Sequence, residues 1–372
     1  MKTNWQTKKL GEVCDFQNGF AFKSKLFKET GFPVLRISNI QNDGISYNRL
    51  VFFDKKNYKE DFDKYQVLKG DLVIAMSGAT TGKLAICNAD EVFYLNQRVG
   101  KFKPKKDLSK DYLYYFLSTR VEENLRISAG SAQPNLSTEQ IRDFEIPFTP
   151  LPEQHRIVKI LDEVFDKVAK AKENAEKNLQ NSKEIFESYL QNVFANPGKN
   201  WEEVALGNFL KLEYGKPLDK KDRKANGEYP VYGANGEKSR TDKFYYNKPT
   251  IIIGRKGSAG ELNLTENKFW PLDVTYFVTF DNKKYNLKFV YFLLSTLKLT
   301  RLAKGVKPGI NRNDVYLINV FVPNLREQKA IVKKLDALSV ETKKLEAIYK
   351  QKLADLEELK KSVLKKAFRG EL

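Results

Sequence analysis

Leu151-Pro152-Glu153-Gln154-His155-Arg156-Ile157-Val158-Lys159-Ile160-Leu161-Asp162 recurs later in the chain as Leu325-Arg326-Glu327-Gln328-Lys329-Ala330-Ile331-Val332-Lys333-Lys334-Leu335-Asp336. From these blocks to Phe194 and Phe368 the two stretches run at one constant offset without a gap. In the first, apolar or small residues fall at Ile157, Leu161, Val164, Val168, Ala171, Ala175, Leu179, Ser182, Phe186, Tyr189 and Val193. In the second they fall at Ile331, Leu335, Leu338, Thr342, Leu345, Tyr349, Leu353, Leu356, Val363 and Ala367. Steps of three and four put each set on one helical stripe, with Glu and Lys filling the other faces as in a coiled coil. Pro152 suits a first helical turn and Asn196-Pro197-Gly198 ends the helix. About 44 residues lie between, or roughly 65 Å of helix.

Neither helix can bury its stripe alone, so the two are expected to pack together. A pseudo-twofold relation between the copies makes the pair antiparallel, with a globular domain at either end of a rod and the C-terminus returning near Trp5.

The repeat extends outward from the helices. Trp5-x4-Leu10-Gly11 returns as Trp201-x4-Leu206-Gly207, Pro33-Val34 as Pro230-Val231, and Tyr112-Leu113-Tyr114-Tyr115-Phe116-Leu117-Ser118-Thr119 as Phe289-Val290-Tyr291-Phe292-Leu293-Leu294-Ser295-Thr296. Register drifts in these globular parts, as loops allow and a packed helix of fixed length does not. The expected segments are 1–150 and 197–324 as globular domains, with 151–196 and 325–372 as helices. Short apolar runs at 34–37, 72–76, 250–253 and 274–280, separated by Gly, Asn, Asp and Ser, predict strands, and 111–119 and 287–296 predict helices. The fold class is α+β, two α/β-type domains joined by a long antiparallel helix pair; the pattern does not yield a strand order.

A chain of 372 residues with 41% hydrophobic and 30% charged residues is globular and long enough for several cores. Its formal net charge of +18 draws it toward polyanions, nucleic acid first, although abundant lysine supplies part of the excess. Cys14 and Cys87 have no metal-ligand spacing and fit buried thiols of a reducing compartment, so the cytoplasm is the expected location. The N-terminal stretch lacks the apolar run of a signal peptide, and the longest apolar runs are strand-sized, so no membrane association is expected.

Candidate chemistry lies in the loops. Gly78-Ala79-Thr80-Thr81-Gly82-Lys83 is one residue short of a phosphate-cradling loop, Leu84 stands where the magnesium-binding hydroxyl belongs, and the second copy has no such lysine. Both copies instead share a Gly-rich turn after a strand, 77–83 and 255–260, where backbone can approach nucleic acid and Ser77, Thr80, Thr81, Lys83, Arg255, Lys256 and Ser258 supply donors. A plain tight hairpin fits the same residues. Asn96-Gln97-Arg98 and Ser131-Ala132-Gln133-Pro134-Asn135 carry side chains able to pair bidentately with base edges, and 306–312, with Lys307, Asn311 and Arg312, stands for the latter in copy two. Arg36, Ser38, Asn39, Tyr232 and Asn235 complete the candidates. The lone histidine, His155, has Lys329 as its counterpart and fits neither base nor metal ligand. No methyltransferase Asn-Pro-Pro-aromatic motif and no His/Cys metal spacing occurs, so neither a catalytic residue nor a metal site is expected.

Lys69-Gly70-Asp71-Leu72-Val73-Ile74-Ala75-Met76-Ser77-Gly78-Ala79-Thr80-Thr81-Gly82, Leu95-Asn96-Gln97-Arg98-Val99-Gly100 and Gly130-Ser131-Ala132-Gln133-Pro134-Asn135-Leu136-Ser137 resemble target-recognition domains of type I restriction-modification specificity subunits. Leu151-Pro152-Glu153-Gln154, its copy Leu325-Arg326-Glu327-Gln328, and the ending Ala367-Phe368-Arg369-Gly370-Glu371-Leu372 resemble that family's spacer helices and terminus. Pro230-Val231-Tyr232-Gly233-Ala234-Asn235-Gly236 with Arg255-Lys256-Gly257-Ser258 resembles a different recognition subtype, implying that the halves read different sequences. The resemblance covers nearly the whole chain. It implies a non-catalytic subunit that selects a split, asymmetric site on double-stranded DNA while its helices set the gap between half-sites. It further implies two methylation subunits with S-adenosylmethionine, and motor/nuclease subunits with ATP and magnesium reached through them; this chain binds no cofactor. Gln154, Ile157, Leu161, Gln328, Ile331 and Leu335 are the expected helix-packing and subunit-docking residues. A partner of a methyltransferase-only or orphan modification system has the same sequence features, and a structural coiled-coil adaptor with incidental charge is the alternative of another class.

Overall fold

The computed structural model describes residues 5–41, 44–128 and 135–372, without the side chains of Ala79 and of 121–128. The expected candidates Ser131 and Gln133 lie outside the described residues. Two compact units emerge, Met1–Asn174 with Lys352–Leu372, and Ala175–Gln351. The division cuts through both long helices, so each unit owns part of each.

The first unit opens with β1 (Gln6–Lys9), α1 (Leu10–Val13), β2 (Cys14–Asn18) and β3 (Phe32–Leu35). A small hairpin follows, β4 (Ile40–Gln41) with β5 (Gly44–Ile45), then β6 (Val51–Phe53), β7 (Gln66–Val67) and β8 (Leu72–Ala75). It continues with β9 (Leu84–Ile86), β10 (Phe93–Leu95), β11 (Val99–Pro104), α2 (Lys110–Ser128), α3 (Thr138–Arg142) and β12 (Glu145–Phe148). The long helix α4 (Leu151–Ala195) leads into the second unit. There, β13 (Glu202–Ala205), α5 (Leu206–Phe209), β14 (Leu210–Tyr214), β15 (Tyr229–Gly233), β16 (Gly236–Thr241) and β17 (Thr250–Gly254) come first. Next are β18 (Leu262–Thr265), β19 (Trp270–Pro271), β20 (Thr275–Phe280), α6 (Leu287–Thr296), α7 (Arg312–Tyr316) and β21 (Asn319–Val322), before α8 (Leu325–Ala367).

Both units have one strand plan. The order β2-β11-β8-β9 in the first matches β14-β20-β17-β18 in the second, every pairing antiparallel. A two-stranded ladder closes each unit, β1 with β12 and β13 with β21. A second sheet has order β6-β3-β10-β7 in one and the shorter β16-β15-β19 in the other, each holding one parallel pair, β3/β10 and β15/β19. The fold is α+β, with two sheet-rich domains and two long helices.

Helix α2 runs on to Ser128, well beyond the 111–119 expected, because no glycine or proline interrupts the chain before Gly130. In the first unit its residues Tyr112, Leu113, Phe116 and Leu117 form one core with Leu72 and Ile74 of β8, Ile157 and Leu161 of α4, and Leu364 and Ala367 of α8. In the second, Phe289, Val290, Leu293 and Leu294 of α6 pack with Ile251 and Ile253 of β17, Leu190 of α4, and Val332 and Leu335 of α8. Each unit's core is therefore sealed by a segment from both long helices. In the first unit these run antiparallel, since Arg156 Nη2 donates to Leu372 O (2.9 Å) while Lys172 pairs with Glu357 (2.8 Å). Gly370 packs against the Trp5 ring there, at a φ of +69° that favours glycine.

The apolar stripe departs from expectation near its end. Tyr189 is 38% exposed and Leu190, at 3%, takes the buried place. Leu345 of α8 is likewise exposed. A straight helix drifts against a seven-residue repeat, so a stripe traced over about nine turns slips by one position.

Candidate nucleic-acid interface

In the first unit, segments far apart in sequence meet around the turn between β8 and β9. The Gly78 φ of +76° and the Gly82 φ of +82° bend this turn, a hairpin connection rather than the strand-to-helix loop of a phosphate cradle. Thr80 Oγ1 donates to Ile37 O (3.1 Å) and Thr81 Oγ1 to Gly78 O (2.6 Å). Arg98 Nη1 donates to Ser77 Oγ (3.1 Å), and Ser77 bridges Asn135. Four candidate clusters, around Arg36, Ser77, Asn96 and Asn135, are thus brought together.

Their side chains divide by exposure. Ser38, Gln97, Arg98 and Asn135 are exposed, and Arg36, Thr80 and Asn96 are half-buried. Asn39 is buried, with Nδ2 donating to Ser46 O (3.0 Å) and Oδ1 accepting from Arg36 N (3.1 Å), so its amide closes the loop. Ser77 and Thr81 are buried too and serve the turn. Lys83 is separate from the cluster: it lines a cavity with Tyr114, Tyr115, Phe165 and Glu357 on the helix side. Arg36 Nη2 donates to Arg49 O (2.9 Å), while its buried Nε has no partner.

The second unit builds the same cluster from different chemistry. The 254–260 turn carries Gly257 and Gly260 at φ +81° and +87° and is one residue shorter than its counterpart. Gly257 N donates to Pro308 O (2.8 Å) and Ile310 N to Arg255 O (3.0 Å), as Leu136 N donates to Met76 O (2.7 Å) in the first unit. Lys256 bridges Gly309 as Ser77 bridges Asn135. Gly309 therefore stands in the place of Asn135, and Asn311 in that of Ser137: each of the latter pair caps a short helix, Asn311 accepting from Asn313 N (3.0 Å) and Ser137 from Gln140 N (3.1 Å). Tyr232 is half-buried against Phe269, and its carbonyl accepts from Leu272 N (2.9 Å). Asn235, Lys256 and Lys307 are exposed, and Ser258, Arg255 and Arg312 are half-buried.

Two residues of this surface carried no signal in the sequence pattern. Val306 stands fully exposed at the tip of the 304–309 turn, between Lys304 and Lys307. Tyr214, the last residue of β14, is 47% exposed, with the Arg255 and Arg312 guanidinium carbons 5.4 and 5.1 Å from its ring centroid. Beneath it, burial and the neighbouring Tyr214 hydroxyl push the Tyr276 phenol up to about 12.

The helix residues form a second set. Gln154 is 0% exposed; its Nε2 donates to Asp107 O (3.0 Å) and Thr149 O (2.7 Å), and its Oε1 accepts from Ser109 N (2.8 Å). Gln328 repeats this with Lys284 O (3.2 Å), Pro323 O (2.8 Å) and Asn286 N (2.8 Å). Ile157, Leu161 and Leu335 are buried and Ile331 packs against the same core as Leu335. These side chains tie each helix to its own domain, and the five buried ones have no surface to offer another subunit. Among the described residues, no cluster of metal-ligating side chains occurs, and no helix is long and apolar enough to cross a membrane.

The family model for the type I restriction modification DNA specificity domain matches twice, at residues 2–179 and 198–357. The provisionally named MjaX type I restriction enzyme specificity subunit of Methanocaldococcus jannaschii is 27% identical over 390 residues, covering 94% of this chain and 91% of that one. The HsdS subunit from Thermoanaerobacter tengcongensis shares the fold, with a TM-score of 0.66 at 17% identity over 100% of this chain and 98% of that one. A chain solved in work on assembly and conformational transition of the type I restriction-modification system is similar at TM-score 0.81 and 18% identity, covering 100% of this chain and 99% of that one. With two matched domains on one repeated framework, this chain belongs to the type I restriction-modification DNA specificity family.

Proposed function

We propose that the chain selects a bipartite, asymmetric site on double-stranded DNA, each loop cluster reading one half. The observation that carries this is the same turn framework presented twice with different side chains: Thr80, Gln97, Arg98 and Asn135 in one unit, Asn235, Lys256, Ser258 and Lys307 in the other. Exposed Arg, Lys, Asn and Gln side chains on glycine turns suit groove edges and phosphates. Asn39, Ser77, Thr81 and Asn311 hold the loops in shape. The two helices of matched length set the unread gap, as dimer geometry sets half-site separation in other DNA binders.

The chain acts in this reading without chemistry of its own. Two methylation subunits bring S-adenosylmethionine and modify adenines, motor/nuclease subunits bring ATP and magnesium and are reached through the methylation subunits, and the assembly works in the cytoplasm. Exposed apolar residues on the helices, Ile185 and Tyr189 of α4 and Val340 and Ile348 of α8, suit docking better than the buried Gln154 and Gln328. Methylome sequencing of cells carrying the complete system tests the reading. It should show one motif with two specified parts and a fixed unread gap; a contiguous motif contradicts it.

A further inference from the structure

We propose that Arg255 and Arg312, gathered over the Tyr214 ring, grip the phosphodiester backbone beside the second half of the target, a contact the first unit lacks. The inference rests on the DNA reading above and assigns these two side chains to backbone rather than bases. Two guanidinium groups share one half-exposed ring, at 5.4 and 5.1 Å from its centroid. Cation–π contact places each, and among the described residues no carboxylate is paired with either. Like charges held this close repel, and an anion between them would relieve that repulsion.

The two are also restrained differently from residues that probe a groove. Arg255 Nε and Nη2 donate to Asp273 O (3.0 and 2.6 Å), which fixes the guanidinium before DNA arrives and leaves Nη1 available. The Arg312 side chain has no hydrogen bond to another described residue, so its donors are available too. Held over the Tyr214 ring, both are half-buried, whereas Lys307 at its turn is exposed. A side chain pinned to the protein surface can meet the backbone that passes over it, whereas base edges lie deeper in the groove.

The fold does not require this arrangement. Tyr214 pairs with Tyr276 as Asn18 pairs with Gly100, Arg255 O accepts from Ile310 N as Met76 O accepts from Leu136 N, and Arg312 opens α7 as Thr138 opens α3. In the first unit these three places hold Asn18, whose Nδ2 donates to Thr138 Oγ1 (2.7 Å), and the buried Met76. Neutral Thr138 and Met76 thus stand where the second unit has the cations Arg312 and Arg255.

The test measures binding of the full chain, in its complex with the methylation subunits, to a cognate duplex and to one with the second half scrambled. Salt is varied between about 50 and 200 mM. Arg255→Gln with Arg312→Gln should make the slope of log K against log salt shallower by roughly two, about one per lost phosphate contact, and weaken both duplexes alike. Arg312→Lys should keep its share of the slope. Arg312→Gln alone, which removes no side-chain hydrogen bond, should lower the slope by about one and serves if Arg255→Gln disturbs the turn. An unchanged slope, or a loss confined to the cognate second half, overturns the assignment while leaving DNA recognition intact. If the unsubstituted protein binds without salt dependence, the DNA reading itself falls.

Discussion

Gln154 and Gln328 show what a single residue contributes. Each buries a primary amide at the start of a long helix and spends both donors and the acceptor on backbone of the preceding domain. Gln154→Ala would orphan Ser109 N–H and the carbonyls of Asp107 and Thr149, at a cost of about 3 kcal/mol. Gln154→Glu should be at least as damaging, since it sets an oxygen against two carbonyls. Chemical denaturation of the purified chain measures both; a change within about 0.5 kcal/mol contradicts the anchoring role. The repeated Glu-Gln pair was visible in the sequence, but its partners were not, because Asp107 and Ser109 lie far upstream. Asn39 was hidden for the same reason: residue type identifies an amide able to pair with a base, and only the loop shows that its hydrogen bonds are already used. Tyr214 is the converse, a strand-end aromatic made notable by two arginines from distant segments.

Among the elements, the long helices were the most legible, since a stripe and its breaker at Asn196-Pro197-Gly198 are local facts and α4 ends at Ala195. The slip from Tyr189 to Leu190 was not, because it depends on accumulated helical drift. Strand order was out of reach: β3 pairs in parallel with β10 across a long intervening stretch, and short alternating runs do not encode such partners. The Gly-rich turns were legible as turns and as counterparts, and the matched bonds at Leu136 and Ile310 add the residue-by-residue correspondence. If α4 and α8 measure the gap, four residues added to each, where the compact units divide, lengthen the helices by about 6 Å. The methylated motif should then gain roughly two unread base pairs with both specified parts unchanged. Altered specified parts with a constant gap would contradict a measuring role.

At the scale of the whole molecule, a net charge of +18 supplies sequence-independent attraction to a polyanion, and in the proposed function the two loop clusters supply the choice of site. The sequence holds helix length constant while the globular surface varies, and the proposed division of labour rests on that contrast. The identity of the bases was never readable, because loop geometry and DNA shape contribute as much as residue type. The most direct test of two independent readers replaces residues 1–150 with the corresponding domain of another family member and sequences the methylome. One specified part of the motif should change while the other part and the gap stay as they were. A change in both parts, or in neither, would contradict two independent readers.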